Sequence, residues 1–463
     1  MSIHKSVFDE GHIKVKARGL IGACREQKPE FNDKLARYFM DFCSKDEELK
    51  NMALRFTSVL ASLKNPKQIN DLFRQYFNGV DFPLVQLAIF LSAIPGISNL
   101  SAASVKWLAE QTARYFIAGS NIMEARKNIW KMRQEGALFT LDILGEAVLS
   151  ESEAENYLQN YLDLIASFGP TGNWANEINF QPNFSIKPSS LYSQFDPISP
   201  ETTSEVVKER LRRIFRAAKK TNAFINIDME QYYFRDLTLD IFKEVLMEKE
   251  FIDWEDIGIV AQAYLRDSEK SLLKLLDWVS ERETPITIRL VKGAYWDHEI
   301  ILRQHQNRRG DYPIYLKKWQ TDENFEKLAL LLLSCRPWVR TAIGSHNLRS
   351  IAVAMSIAEK LGLPKEEKGT DGVIRNPLEF QILYGMGNGI KKPLLKSGFP
   401  VRVYTPYVTS GSLIPGMAYL VRRILENTSN ESFLRSQFIG NSSMDELIQC
   451  PLEAKQKEKG GRK

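Results

Sequence analysis

The sequence predicts an α/β protein, a closed parallel (β/α)8 barrel preceded by an N-terminal all-helical arm or cap. Two observations carry this expectation. The first 130 or so residues repeat apolar positions at helical spacing, in Met52, Phe56, Val59 and Leu60 and again in Val105, Leu108, Ala109, Thr112 and Phe116, without strand alternation. Beyond them eight short β-branched runs recur, each followed by a longer helix-compatible stretch, and that number fits a closed barrel better than an open sheet.

In chain order the runs are Phe139 to Ile143, Phe184 to Lys187, Phe224 to Asp228, Ile257 to Gln262, Thr287 to Val291, Val339 to Ile343, Phe380 to Leu383 and Val401 to Tyr404. Several close on polar or ionisable residues: Lys187, Asp228, Gln262, His346 after Ile-Gly-Ser, and Tyr404. The C-terminal strand ends of such a barrel form its active face, so these groups should converge from distant parts of the chain. One lysine after a strand is an ordinary surface residue; five polar endings in register are harder to dismiss. The expected organisation is an arm over residues 1–130, a barrel over 131–440 and a polar, basic tail or linker over 441–463.

Composition narrows the function classes. An apolar fraction of 44% and a charged fraction of 26% belong to an ordinary folded protein. The formal charge is +5, but Lys455 to Lys463 carries five basic residues and one acid, leaving a nearly neutral body with no stripe for nucleic acid. Cys24, Cys43, Cys335 and Cys450 form no C-x-x-C pair, which fits a reducing cytoplasm. The N-terminus lacks a signal-peptide h-region, and the longest apolar run, Leu84 to Ile97, is too short to span a bilayer.

Among candidate chemistries, a metal site finds no support, because His298 and His305 stand seven apart without an H-E-x-x-H arrangement. Gly385-Met-Gly-Asn-Gly389 lacks the spacing of a dinucleotide turn and reads as a tight turn after a strand. There is no G-x-S-x-G nucleophile elbow. Lys187 or Lys292 could form a Schiff base if burial lowered its pKa, as in a barrel lyase. A regulator binding nucleic acid through the basic tail is the non-enzymatic alternative.

Two segments carry more. Arg289-Leu-Val-Lys-Gly-Ala-Tyr-Trp296 offers two cations, a Gly-Ala step for close backbone approach and two aromatics, although an ordinary strand end with a tight turn would look the same. On the late helical stretch, Tyr419, Arg422, Arg423 and Glu426 share one face at i, i+3, i+4 and i+7. Adjacent guanidinium forks suit a small carboxylate, and a solvated Arg/Glu pair is the plainer account.

Taken together, Leu144-Gly-Glu-Ala147, Phe184-Ser-Ile-Lys187, Ile225-Asn-Ile-Asp-Met-Glu230, Gln262-Ala-Tyr-Leu265, Arg289 to Asp297, Gly344-Ser-His-Asn347, Phe380-Gln-Ile-Leu-Tyr-Gly385, Val403-Tyr-Thr-Pro406 and Tyr419 to Asn427 resemble the proline dehydrogenase family. Within it they most resemble the proline dehydrogenase half of bifunctional proline utilization A flavoenzymes. The resemblance implies a distorted, TIM-like (β/α)8 barrel with non-covalent FAD at the strand C-terminal ends, and oxidation of L-proline to 1-pyrroline-5-carboxylate. By motif position it implies that Lys187, Arg422 and Arg423 bind the proline carboxylate, that Tyr404 and Tyr419 wall the pocket, and that Asp228 and Arg289 are the catalytic pair. It further implies that Met229, Gln262, Arg289, Lys292, Gly293, Ala294, Tyr295, Trp296, Ser345 and His346 contact FAD. A quinone electron acceptor, peripheral association with the inner membrane and an aldehyde dehydrogenase module or partner are implied in the same way. The stretch after Tyr404 is longer than the family's pattern, and with neither an aldehyde dehydrogenase module nor a ribbon-helix-helix segment the expected protein is monofunctional or a fragment of a bifunctional one.

Overall fold

The computed structural model describes residues 9–27, 52, 55–56, 59–60, 63, 65–80, 86, 89–90, 98–145, 148–169, 181–306, 310–369, 372–409 and 444–460. Eight parallel strands close into a barrel: β1 (Leu138–Ile143), β2 (Asn183–Ile186), β3 (Phe224–Ile227), β4 (Ile257–Gln262), β5 (Ile286–Val291), β6 (Val339–Gly344), β9 (Leu378–Leu383) and β10 (Val401–Tyr407). Each expected run falls on one of them. Closure comes from β1 pairing with β10, with Thr140 opposite Tyr404. A two-residue antiparallel ribbon, β7 (Glu367–Lys368) with β8 (Ile374–Arg375), was not anticipated from the sequence.

Local chemistry explains the crossover helices. Helix Pro200–Thr221 starts on a proline, whose missing N–H costs nothing in a first turn, and stops at Asn222 in the left-handed region (φ 53°). Between them Val207, Leu211, Ile214, Phe215 and Ala218 recur at helical spacing and are buried against the barrel. Each of the four larger side chains contributes about 1.5–3 kcal/mol by leaving water. In β1 to β3 the odd and even positions divide: Leu141, Phe184, Ile186, Ile225 and Ile227 join the apolar layer under the helices. Thr140, Asp142, Ser185, Asn226 and Asp228 alternate with them and are buried on the other side, so the barrel interior is polar.

The N-terminal helices pack in two ways. Helix Glu10–Arg25, capped by Asp9, buries Ile13, Ala17, Ile21 and Cys24 in the same core as the barrel. Helices Pro66–Phe77 and Ser98–Phe116 share a separate small core that includes Phe56, Phe73, Phe77 and Val105. The second of these is stitched to the barrel mouth, since Ala118 N–H donates to Pro406 O (2.8 Å) and Val408 N–H to Gly119 O (3.1 Å). Near the other end, where a solvated tail was expected, helix Pro451–Gly460 lies against helix Lys318–Ser334. No helix among the described residues is long and apolar enough to cross a membrane.

Candidate active site

The polar strand endings meet at the C-terminal mouth. Asp228, the residue after β3, accepts from Ser185 Oγ of β2 (2.7 Å), Asn226 Nδ2 (3.3 Å), Arg289 of β5 (2.9 Å) and, on its other oxygen, Tyr404 OH of β10 (2.9 Å). Four strands thus fix one carboxylate. Arg289 is 5% exposed and lies 5.2 Å from the Tyr404 ring centroid, so the phenol carries a cation on its face as well as a carboxylate on its hydroxyl. Such a network is rigid because a lone buried charge would cost far more than the paired one.

Lys187, the residue after β2, is ion-paired with the fully buried Asp142 of β1. Burial works against the lysine's charge, but Asp142, Asp228 and Tyr161 together hold its pKa above the ordinary lysine value. Burial pushes the Asp142 carboxyl up as well, against the pull of Lys187. Both shifts favour keeping a proton on the pair. Beside them Glu230 accepts from Ser189 Oγ (2.6 Å), which secures the short 3-10 turn Pro188–Leu191 directly after Lys187, and burial raises its carboxyl too.

On the opposite wall, Lys292 donates to Asp322 (2.6 Å) and Gly293 follows at φ 139°. A side chain on Gly293 would overlap the Tyr264 ring, so the backbone here is open only to glycine. Gln262 donates to Glu230 O (3.0 Å) while its buried Oε1 has no partner. His346 accepts at Nε2 from the Leu383 N–H (2.9 Å), which leaves Nδ1 as the protonated nitrogen. These walls line an open cleft.

The cleft gathers Lys187, Asp228, Met229, Gln262, Arg289, Lys292, Gly293, Ala294, Tyr295, Ser345, His346 and Tyr404, all sequence candidates. Trp296 does not line it. Its indole packs beside Tyr264, Leu265 and Ile314 and donates to Tyr315 O (3.0 Å). Tyr419, Arg422 and Arg423 lie outside the described residues. The cleft also contains Glu230 and Gln381, and its network includes Asp142 and Ser185, none of which the sequence reading singled out. Gly385 at φ 77° makes the turn expected after β9.

The sequence matches the proline dehydrogenase family over residues 125–436, about two thirds of the chain and the whole barrel. The chain belongs to the proline dehydrogenase family. Residues 10–116 match a second family, the proline utilization A N-terminal domain. The bifunctional protein PutA of Escherichia coli is 29% identical over 410 residues, covering 87% of this chain and 29% of that protein. Proline dehydrogenase 1 of Bacillus subtilis is 29% identical over 322 residues, 70% of this chain and 89% of the relative. The structure of proline utilization A from Bdellovibrio bacteriovorus inactivated by N-propargylglycine superposes with a TM-score of 0.84 at 35% identity, covering 96% of this chain and 44% of that one. The chain therefore spans under a third of the curated bifunctional relatives it matches.

Proline dehydrogenases are flavin-dependent, and the cleft can be tested for that fit. Two features suit a planar, hydrogen-bonding group. The orphaned Gln262 Oε1 needs a donor, since a buried acceptor without one costs about 1–3 kcal/mol. The glycine conformation at Gly293 lets a ligand approach the main chain beside a buried ammonium.

Proposed function

We propose that this chain binds FAD in the barrel-mouth cleft and oxidises L-proline to 1-pyrroline-5-carboxylate. The observation that carries the reading is the Asp228 carboxylate held by Ser185, Arg289 and Tyr404, beside a protonated Lys187, in a chain of this family. Bound FAD supplies the hydride acceptor. Gln262, Lys292, Gly293, Ala294, Ser345 and His346 would hold it, with Met229 and Tyr295 alongside.

The residues of the chain do the rest by position and charge. Lys187, kept cationic beside Asp142, gives the proline carboxylate a counter-charge at one end of the pocket. Arg422 and Arg423 complete that clamp by motif position, with Tyr419 and Tyr404 as walls. Pinning one end of a small ring fixes which carbon faces the acceptor. Arg289, immobilised by Asp228 and Ser185, stabilises negative charge that grows only as the reaction proceeds. Electrons then pass to a quinone at a membrane surface, and an aldehyde dehydrogenase module or partner consumes the product.

A lyase working through a Schiff base needs a neutral amine, whereas Lys187 is ion-paired with the buried Asp142 and Lys292 with the half-buried Asp322. The visible spectrum of the purified chain decides. A flavin band that bleaches on adding proline is expected; a colourless protein, or a band indifferent to proline, sinks the reading. Arg422→Met and Arg423→Met should raise KM for proline and leave flavin content unchanged.

A further inference from the structure

Helix Lys318–Ser334 backs the wall of the cleft that carries Lys292. Asp322 faces inward on it, receiving Lys292 (2.6 Å) and also pairing with Lys318. Two residues along, Asn324 donates to Ala263 O (2.7 Å) and Ser268 Oγ (2.8 Å), which pins the same helix behind the end of β4. Trp319, Asp322 and Glu326 stand at i, i+3 and i+7 and so lie along one stripe.

The segment over residues 444–460 touches that stripe on both sides of Asp322. Above it, Trp319 Nε1 donates to Glu458 (2.8 Å), Lys455 sits 4.9 Å over the indole and Lys317 pairs with Glu458 (2.8 Å). Below it, Arg349 joins Glu326 (2.7 Å) to Ile448 O (3.2 Å) and to Glu10 of the first helix (2.7 Å). Cys450 between these contacts is buried.

We propose that residues 448–458 form a clamp that sets the position of helix Lys318–Ser334, with Glu458 and Trp319 acting as positioning residues for the Asp322–Lys292 pair and, through it, for the cofactor. The inference rests on the flavin reading above for its ligand, but its geometry concerns the chain alone. Ion pairs at the surface stabilise little by themselves, so the effect is one of placement more than of fold stability.

The test uses the full chain carrying Trp319→Phe with Glu458→Ala, which removes the outer bracket and keeps an aromatic in place. Amide hydrogen exchange over residues 318–326 should quicken, and the dissociation constant measured by titration with FAD should rise roughly tenfold, a coupling of ordinary size between linked sites. Asp322→Asn alone should weaken FAD at least as much, and adding it to the double variant should bring little further loss, because both act through one pair. Unchanged exchange overturns the clamp, as does faster exchange with unaltered FAD affinity, or losses that simply add. If the unsubstituted chain takes up no FAD, the proposed function falls, while the exchange measurement still decides whether the clamp exists.

Discussion

At the N-terminal end of the barrel, Arg340 donates to Glu255 (2.7 Å) and Arg375 grips Asp256 with two nitrogens (2.8 and 2.9 Å), none of them lining the cleft. At the C-terminal end, Asp228, Arg289 and Asp142 are buried, Lys187 is half-buried, the four are as closely paired, and three of them line the cleft. The same currency of buried charge is used for opposite purposes. At the closed end each ion answers another and the strands are tied together. At the open end Gln262 Oε1 waits for a donor and a lysine is held charged where a ligand can reach it. Pairing alone therefore does not mark a functional site; pairing that faces a cleft does.

The largest expected effect separates the two ends. Asp256→Ala takes the two closest contacts from Arg375 and leaves it Glu255 at 3.5 Å, which should cost about 3 kcal/mol in chemical denaturation, while turnover per folded molecule stays unchanged. A loss of turnover without a loss of stability would erase the distinction. Next, Arg289→Met should lower kcat for proline by roughly 10²–10³, the size of a preorganised charge removed from a reacting site. If steady-state kinetics showed only a higher KM, Arg289 would be a binding group and not one tuned to the transition state.

A third expectation sharpens the contrast away from both ends. Burial pushes the Glu326 carboxyl up to about 6 from its ordinary 4.5, against the pull of Arg349. A raised acid favours its protonated form in the fold, so its contribution is full below pH 4.5 and is lost as pH rises through 6, roughly 2 kcal/mol. Glu326→Gln should remove that component from denaturation midpoints compared at pH 4.5 and 6.5. The smallest effect concerns Tyr404→Phe: Asp228 keeps Ser185, Asn226 and Arg289, so KM for proline should rise about tenfold or less with the fold intact. A collapse in stability there would make Tyr404 structural.

The barrel was legible because each strand run is bounded by turn residues and followed by a helical period, and the strand endings at Lys187, Asp228, Gln262 and Tyr404 pointed to one face. Asp142 was harder to see, since it sits inside an apolar run and not at its close. A signal did exist: Thr140 and Asp142, Asn183 and Ser185, and Asn226 and Asp228 occupy alternate positions, and alternation of that kind in a buried strand spells a polar interior. The partnership of Lys187 with Asp142 could not be read, because it depends on strand register 45 residues apart. Trp296 looked like a stacking surface from its neighbours, but helix Trp296–His305 begins there and carries the indole toward Tyr315. The helix at 451–460 was hidden by its composition, which resembles a solvated tail until Trp319 is brought beside it.

The pairing of β1 with β10 bears on how the molecule is made. Phe139 meets Val403, 264 positions further along the sequence, so the closing seam is the least local contact in the sheet. A chain emerging from the ribosome would carry seven strands with two open edges before Tyr404 arrives, and open edges invite association with other chains. High contact order also slows closure. Because β10 brings the Tyr404 hydroxyl to the Asp228 carboxylate, the step that seals the sheet also joins the last strand of the site to the first ones.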